Sequence, residues 1–234
     1  MARAHAGISG DRADPVWLVL PLLGWLSLAG AAETGHPPVA RDLAPLSVRG
    51  VNYYPRATPW GGMWAQTPRE VWEKDMALAA SLGANAIRTF VQFSPRLVEA
   101  GLLRADGSPE PAYLKKLDDL LGAAWAHGIR VILCLDFSAE WLAVPDAPDR
   151  WRRALAPIVS ARRDDGRVLL WDLMNEPDDD AKWNDATRAY LREAGPFIRA
   201  TDANHLTTIG MTWRIERIRE VGLPDVLQYH EYCP

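Results

Sequence analysis

PRATPWGGMW (residues 55–64) follows the first strand-like run of the chain, SVRGVNYYP (47–55), and its reading decides the fold. Around it, short apolar runs alternate with amphipathic segments, the pattern of repeated strand–helix units. Two architectures accommodate such units: an open doubly wound sheet and a closed barrel. A doubly wound nucleotide binder carries a glycine-rich phosphate turn after its first strand. This turn is long and aromatic instead, with no GxGxxG and no GxxxxGK followed by Ser or Thr. The reading is therefore an α/β protein of the (β/α)8 TIM-barrel class.

Further strands are expected at NAIRTFVQF (85–93), IRVILCLDFS (129–138), VLLWDLMNEP (168–177), HLTTIGMTW (205–213) and DVLQYHEYCP (225–234). Their near-continuous hydrophobicity suits parallel strands covered on both faces. Helices are expected over 68–83, 111–128, 149–166 and 180–202, and only a short one between Arg214 and Pro224. Three of them close on Gly83, Gly128 and Gly166, where glycine supplies a left-handed residue cheaply. Pro157 and Pro196 are expected to kink or shorten their helices. The count is about six of eight strand–helix units.

A chain of 234 residues supports one substantial core, and its charged content of 24% is that of a soluble domain. A net charge of −4 without a basic stripe argues against nucleic acid as a partner. Arg3 and Arg12 precede the apolar run VWLVLPLLGWLSLAGAA (16–32), which ends in small residues, the layout of a secretory signal. An uncleaved anchor is the alternative, since about 17 apolar residues reach the short limit of a membrane span. Residues 1–32 are thus read as signal or anchor, 33–45 as a Pro-rich linker and 46–234 as the barrel domain. That predicts a secreted, periplasmic or envelope protein, with a membrane as partner only if the segment is uncleaved. Cys134 and Cys233 do not make a disulfide framework and read as buried free thiols.

Functional groups of a (β/α)8 barrel gather at the C-terminal ends of its strands. Those ends carry Asn52, Tyr53 and Tyr54; Arg88 and Gln92; Asp136; Asn175 and Glu176; Trp213; and His230, Glu231 and Tyr232. Packing alone does not explain an arginine inside NAIRTF or a histidine inside LQYHEY.

Together RGVNYYP, LGANAIRTF, WDLMNEP and QYHEY resemble the clan A glycoside hydrolases, most closely family 5 of cellulases and mannanases. The resemblance covers about residues 46–234. It implies retaining hydrolysis of a β-linked oligo- or polysaccharide of the cellulose, mannan or glucan kind, without cofactor or metal. It makes Glu176 the general acid/base, and Asn175 the donor to the 2-hydroxyl of the reacting sugar. A carboxylic acid in this role works best with a pKa raised by partial burial. The alternative for Glu176 is a helix-start carboxylate. Arg88 would hold the second carboxylate ionised; a buried pair with Asp172, on the Glu176 side of its strand, is the other reading and is compatible with the first. His230 and Tyr232 match the family's His-x-Tyr and join Asn52 and Tyr54 as substrate contacts. Strand three departs from the pattern: it reads DFS where many relatives read like DLH, so the role of Asp136 is open.

Eleven tryptophans are many for this length. Trp60, Trp64, Trp141, Trp183 and Trp213 fall at the rim, where an indole packs on the C–H face of a sugar or on the protein itself. Trp64, Trp141 and Trp213 are the platform candidates. Trp72, Trp125 and Trp151 lie in helices and read as core. No HxH, HExxH, CxxC or GxSxG spacing points to a metal site or a serine nucleophile. A sugar-binding protein without turnover is the rival reading, and a lyase or isomerase barrel ranks last because no strand carries a lysine. The family's nucleophile ends the seventh strand, which the resemblance does not place within these residues. Glu231 is a poor substitute by strand alternation. A truncated, poorly soluble chain is therefore expected.

Overall fold

The computed structural model describes residues 37–41, 43 and 46–232. The expected signal or anchor and Cys233 lie outside the described residues. Six strands form one sheet: β1 (Gly50–Asn52), β2 (Ala86–Phe93), β3 (Arg130–Phe137), β4 (Val168–Asn175), β5 (Leu206–Met211) and β6 (Val226–Tyr229). All neighbours are parallel and the strand order is the chain order. A doubly wound sheet reverses its order at a switch point. This one never does, and six parallel strands curl into part of a (β/α)8 barrel.

The helices are α1 (Gly61–Gln66), α2 (Arg69–Ser81), α3 (Pro95–Glu99), α4 (Pro111–Trp125), α5 (Ala139–Leu142), α6 (Ala147–Ser160), α7 (Asp185–Thr201) and α8 (Ile218–Val221). The short α1, α3 and α5 escaped the periodicity reading, since one turn is too short to show a repeat. Proline opens α3 and α4, where its missing N–H costs nothing. Helices α6 and α7 run on past Pro157 and Pro196 rather than stopping there.

Gly83 and Gly128 take the expected positive φ, +87° and +71°. Gly166 does not, and it serves a different end. A Cβ there would lie 2.1 Å from the Pro38 carbonyl oxygen and 2.2 Å from that of Pro37. The Gly166 amide donates to Pro37 O at 2.9 Å, and Arg130 Nη1 donates to Pro38 O at 3.0 Å. Part of the expected linker is thus docked under the sheet rather than free.

One core lies between sheet and helices, with Ile87, Leu133, Trp171, Leu155 and Ile198 fully buried in it. The barrel-side face is different. Parallel partners share a face, so the register rows Asn52–Arg88–Ile132 and Phe90–Cys134–Asp172 point inward together. Cys134 is buried, as expected of a free thiol. Strands β1 and β6 are the sheet edges, and Val51, Leu78 and Leu82 at one and Leu227 at the other are exposed. Among the described residues no helix is long and apolar enough to cross a membrane.

Candidate active site

The rim of the sheet encloses an open cavity of about 510 Å³ lined by Asn52, Tyr54, Trp60, Arg88, Phe90, Asn175, Glu176 and residues 229–232. A second groove of about 430 Å³, between β1 and α2, is mostly apolar and holds Leu78, Ala79 and Leu82; of the rim groups it reaches only Tyr53 and Tyr54.

Arg88 organises the floor. Its Nε and Nη2 donate to Asp172 Oδ2 at 2.8 and 2.5 Å, with both side chains buried. Nη2 also donates to Asn175 Oδ1 at 3.0 Å, and Nη1 reaches Asn52 Oδ1 at 3.5 Å. Burial works against the Arg88 charge and Asp172 outweighs it, so its pKa stays raised. The expected buried pair is therefore present, and Asn52 and Asn175 hang from the same guanidinium. A register shift in β4 between Asp172 and Asn175 breaks strict alternation, which lets both side chains meet Arg88.

Glu176 follows with φ of +49°, one of three non-glycine residues in the left-handed region among the described residues. That conformation costs roughly 1–2 kcal/mol and has to be held by its surroundings. The Glu176 amide donates to Gly210 O on β5 at 2.7 Å. Its side chain is held from beyond β6: His230 Nδ1 lies 2.8 Å from Oε1, and the Tyr232 hydroxyl donates to the same oxygen. Gln228 Nε2 sits 2.7 Å from His230 Nε2 and can only donate. The ring proton therefore resides on Nδ1 and is given to Glu176. Gly210 makes this approach possible, because a Cβ there would lie 2.7 Å from His230 Cε1.

The expectation of a raised Glu176 pKa is not met. Burial pushes it up, but the hydrogen bonds from Tyr232 and His230 outweigh burial and hold it below the usual glutamate value. Hydrogen bonds to the charged form favour that form. Asp136 behaves oppositely: burial first, and repulsion from Asp172, push it up to about 6 against the pull of Lys182 and Arg88.

The aromatic residues sort differently from expectation. Tyr54 stacks on Phe90, ring centres 5.1 Å apart, and Trp60 leans on Tyr54 at 4.6 Å, so these three form one wall of the cavity. Trp60 is exposed and also left-handed, φ +57°. Trp64 is fully buried and donates its Nε1–H to Phe90 O at 2.9 Å. Trp141 is buried beneath the Arg150 guanidinium. Neither can carry a sugar, because helices α1 and α5 turn them into the core. Trp213 is exposed at the β5 rim but outside the cavity lining. Trp72 and Trp151 are core as expected, while Trp125, the last residue of α4, is exposed with Arg130 over its ring.

Two further placements differ. Tyr53 faces outward and donates its hydroxyl to Asp75 on α2 at 2.8 Å. Glu231, expected to turn away, contributes to the cavity lining, because β6 ends at Tyr229 and alternation no longer applies beyond it. The sequence reading put Trp60 at the rim but not among the platform candidates, and it missed Gln228, Gly210 and Lys182, whose Nζ donates to Asn175 O at 3.3 Å. Gln228 was within reach of it, being two residues from His230 on a strand. Among the described residues no group of three or more His, Cys, Asp or Glu is placed to hold a metal.

Comparison with known proteins identifies the family and the fold. Residues 41–234 match the family model for cellulase, glycosyl hydrolase family 5. Mannan endo-1,4-beta-mannosidase 1 of Solanum lycopersicum is 36% identical over 52 residues, 22% of this chain and 13% of that protein. Mannan endo-1,4-beta-mannosidase 3 of Oryza sativa subsp. japonica is 27% identical over 188 residues, 65% of this chain and 40% of that protein. The fold superposes on the exo-beta-1,4-mannosidase of Opitutaceae bacterium strain TAV5 with a TM-score of 0.63 at 21% identity, covering 84% of this chain and 40% of that one. The chain thus covers well under two thirds of these relatives, and it belongs to the cellulase family of glycosyl hydrolases, family 5.

Proposed function

We propose that the protein is a retaining glycoside hydrolase of β-linked glycans, with β-1,4-mannan the first substrate class to test and Glu176 as general acid/base. One observation carries the reading: Glu176 is held at the end of β4 in a strained conformation, gripped by His230 and Tyr232 and flanked by Asn175, over an open polar cavity. Names of the curated relatives favour mannan over other β-glycans. With both donors on Oε1, Oε2 is the oxygen left to carry the proton to the glycosidic oxygen as that bond breaks. Asn175, steadied by Arg88, would donate to the 2-hydroxyl of the sugar, a contact that tightens as positive charge builds on the ring. Retention requires a second carboxylate about 5–5.5 Å away to attack the anomeric carbon. Its negative charge would also raise the Glu176 pKa into the range of an acid catalyst.

A second reading is binding without turnover, which the hydrogen bonds from His230 and Tyr232 favour because they stabilise the ionised form of Glu176. Mannohexaose, cellohexaose and aryl β-mannosides separate the two. In the hydrolase reading, Glu176→Gln lowers kcat on the oligosaccharides by roughly two to four orders of magnitude and spares the first step on activated aryl leaving groups. Saturable binding with no products from any of them supports the second reading instead. Export to the outside or the envelope is part of the proposal, resting on the apolar run 16–32. Mass spectrometry of the native protein should find a new N-terminus near Glu33, and an intact Met1 or Ala2 on a cytoplasmic protein refutes it.

A further inference from the structure

Glu176 is pinned to β5 before its Cα by the bond from its amide to Gly210 O. What pins it afterwards is Asp178, two residues on and almost wholly buried. The Asp178 carboxylate accepts from the Thr212 amide at 2.9 Å on each oxygen, from the Thr212 hydroxyl at 3.1 Å and from the Arg214 amide at 2.8 Å. Its carbonyl accepts from Arg217 Nη1 at 2.7 Å. The loop leaving β4 is thereby locked onto the loop leaving β5. Only Pro177 lies between this anchor and Glu176, and its ring fixes φ near −65°. Few soft torsions remain between the two carboxylates, so an immobile Asp178 leaves Glu176 little choice of backbone conformation.

We propose that Asp178 is a positioning residue for Glu176: by gathering the amides of the β5 rim loop it holds the left-handed backbone that presents the Glu176 carboxylate to His230 and Tyr232. The same grip brackets Trp213, whose two neighbours supply the captured amides, and so sets that indole outward at the rim. The role rests on the reading of Glu176 as the central acid, but its readout does not depend on turnover. Asp180 offers an internal control. It is exposed and forms salt bridges with the Arg214 and Arg217 side chains, so it touches the same two arginines but captures none of the buried amides.

The test is the titration of the Glu176 carboxyl, followed by ¹³C NMR in the chain labelled at glutamate, with Glu176→Gln to assign the signal. His230, Tyr232, Lys182 and Arg88 are the titratable and charged groups acting on it. Asp178→Ala should release the loop and raise the Glu176 pKa toward the ordinary value. Asp178→Asn, which keeps the size but offers the amides one acceptor oxygen, should shift it less in the same direction. Asp180→Ala should leave it unchanged. A purely structural Asp178 would lower the melting temperature without moving this titration, and that result overturns the proposal. If neither Asp178 variant folds, amide exchange in the parent chain decides: Thr212 and Arg214 exchanging as fast as free peptide would also overturn it.

Discussion

Replacing Asp136 with Asn should stabilise the protein at neutral pH and leave it unchanged near pH 4. Asp136 lies on the inner face of β3, paired in register with Gln92 of β2, and burial together with Asp172 lifts its pKa from 3.8 to about 6. For an acid whose pKa rises on folding, the folded state holds the proton more tightly than the unfolded one. Its contribution to stability is therefore fully present below pH 3.8 and is lost as pH rises through about 6. The lift of about two units corresponds to ~3 kcal/mol at 1.36 kcal/mol per unit. Partial exposure of the side chain reduces this to about 2 kcal/mol. Asn has the same size and no charge, so the variant escapes that penalty above pH 6. For a chain of this length the gain is about 4–8 °C in Tm. Thermal unfolding followed by circular dichroism from pH 4 to 8 should show two curves that meet at the acid end and separate through pH 6. A difference that does not change with pH refutes the reasoning. So does a less stable variant at pH 7, because it would mean that Lys182 holds the ionised carboxylate favourably. A stabilised variant that loses affinity for glycans would identify Asp136 as a residue kept for the site at a cost to the fold.

Gly210→Ala should displace His230, since its Cβ would meet the ring at 2.7 and 2.8 Å and Arg88 at 3.1 Å. The expected loss is about 1–3 kcal/mol in urea unfolding, with the Glu176 pKa moving back up as one donor leaves; an unchanged pKa would show that His230 is not its partner. Trp60→Ala should weaken oligosaccharide binding with little change in Tm, whereas Trp64→Phe should cost about 1–3 kcal/mol by leaving Phe90 O unpaired. Calorimetry and melting curves on the same pair of variants check both, and the reverse pattern would restore Trp64 as the platform. Gly166→Ala should expel the segment at Pro37–Pro38, read as faster proteolysis before residue 41, and equal proteolysis would deny that contact.

The alternation of strands and helices was legible from residues 47–232, because each depends on neighbours two to four positions apart. The extents of β2, β3 and β4 fell within one or two residues of the apolar runs. Gly83 and Gly128 marked helix ends because the left-handed geometry required there is local. The choice of barrel over doubly wound sheet came from one turn, 55–64, and the strand order agrees with it. The rim carrying Arg88, Asn175, Glu176, His230 and Tyr232 followed from strand direction alone.

Tertiary structure decided what local pattern cannot carry. Trp60 and Trp64 stand four residues apart, yet one faces the cavity and the other, carried on helix α1, is turned into the core. The packing of Trp64 against Trp72 of α2 and Tyr113 of α4 separates them. Gly166 looked like a helix end and is a docking point for a segment more than a hundred residues earlier. The direction of the Glu176 pKa was decided in the same way. Burial alone raises it, while two donors from 54 and 56 residues away lower it, and the sum depends on distances that no sequence spacing encodes. Sequence determines which groups arrive at the rim, because strand direction is a property of the backbone; which of them touch is settled only when β4, β5 and β6 lie side by side.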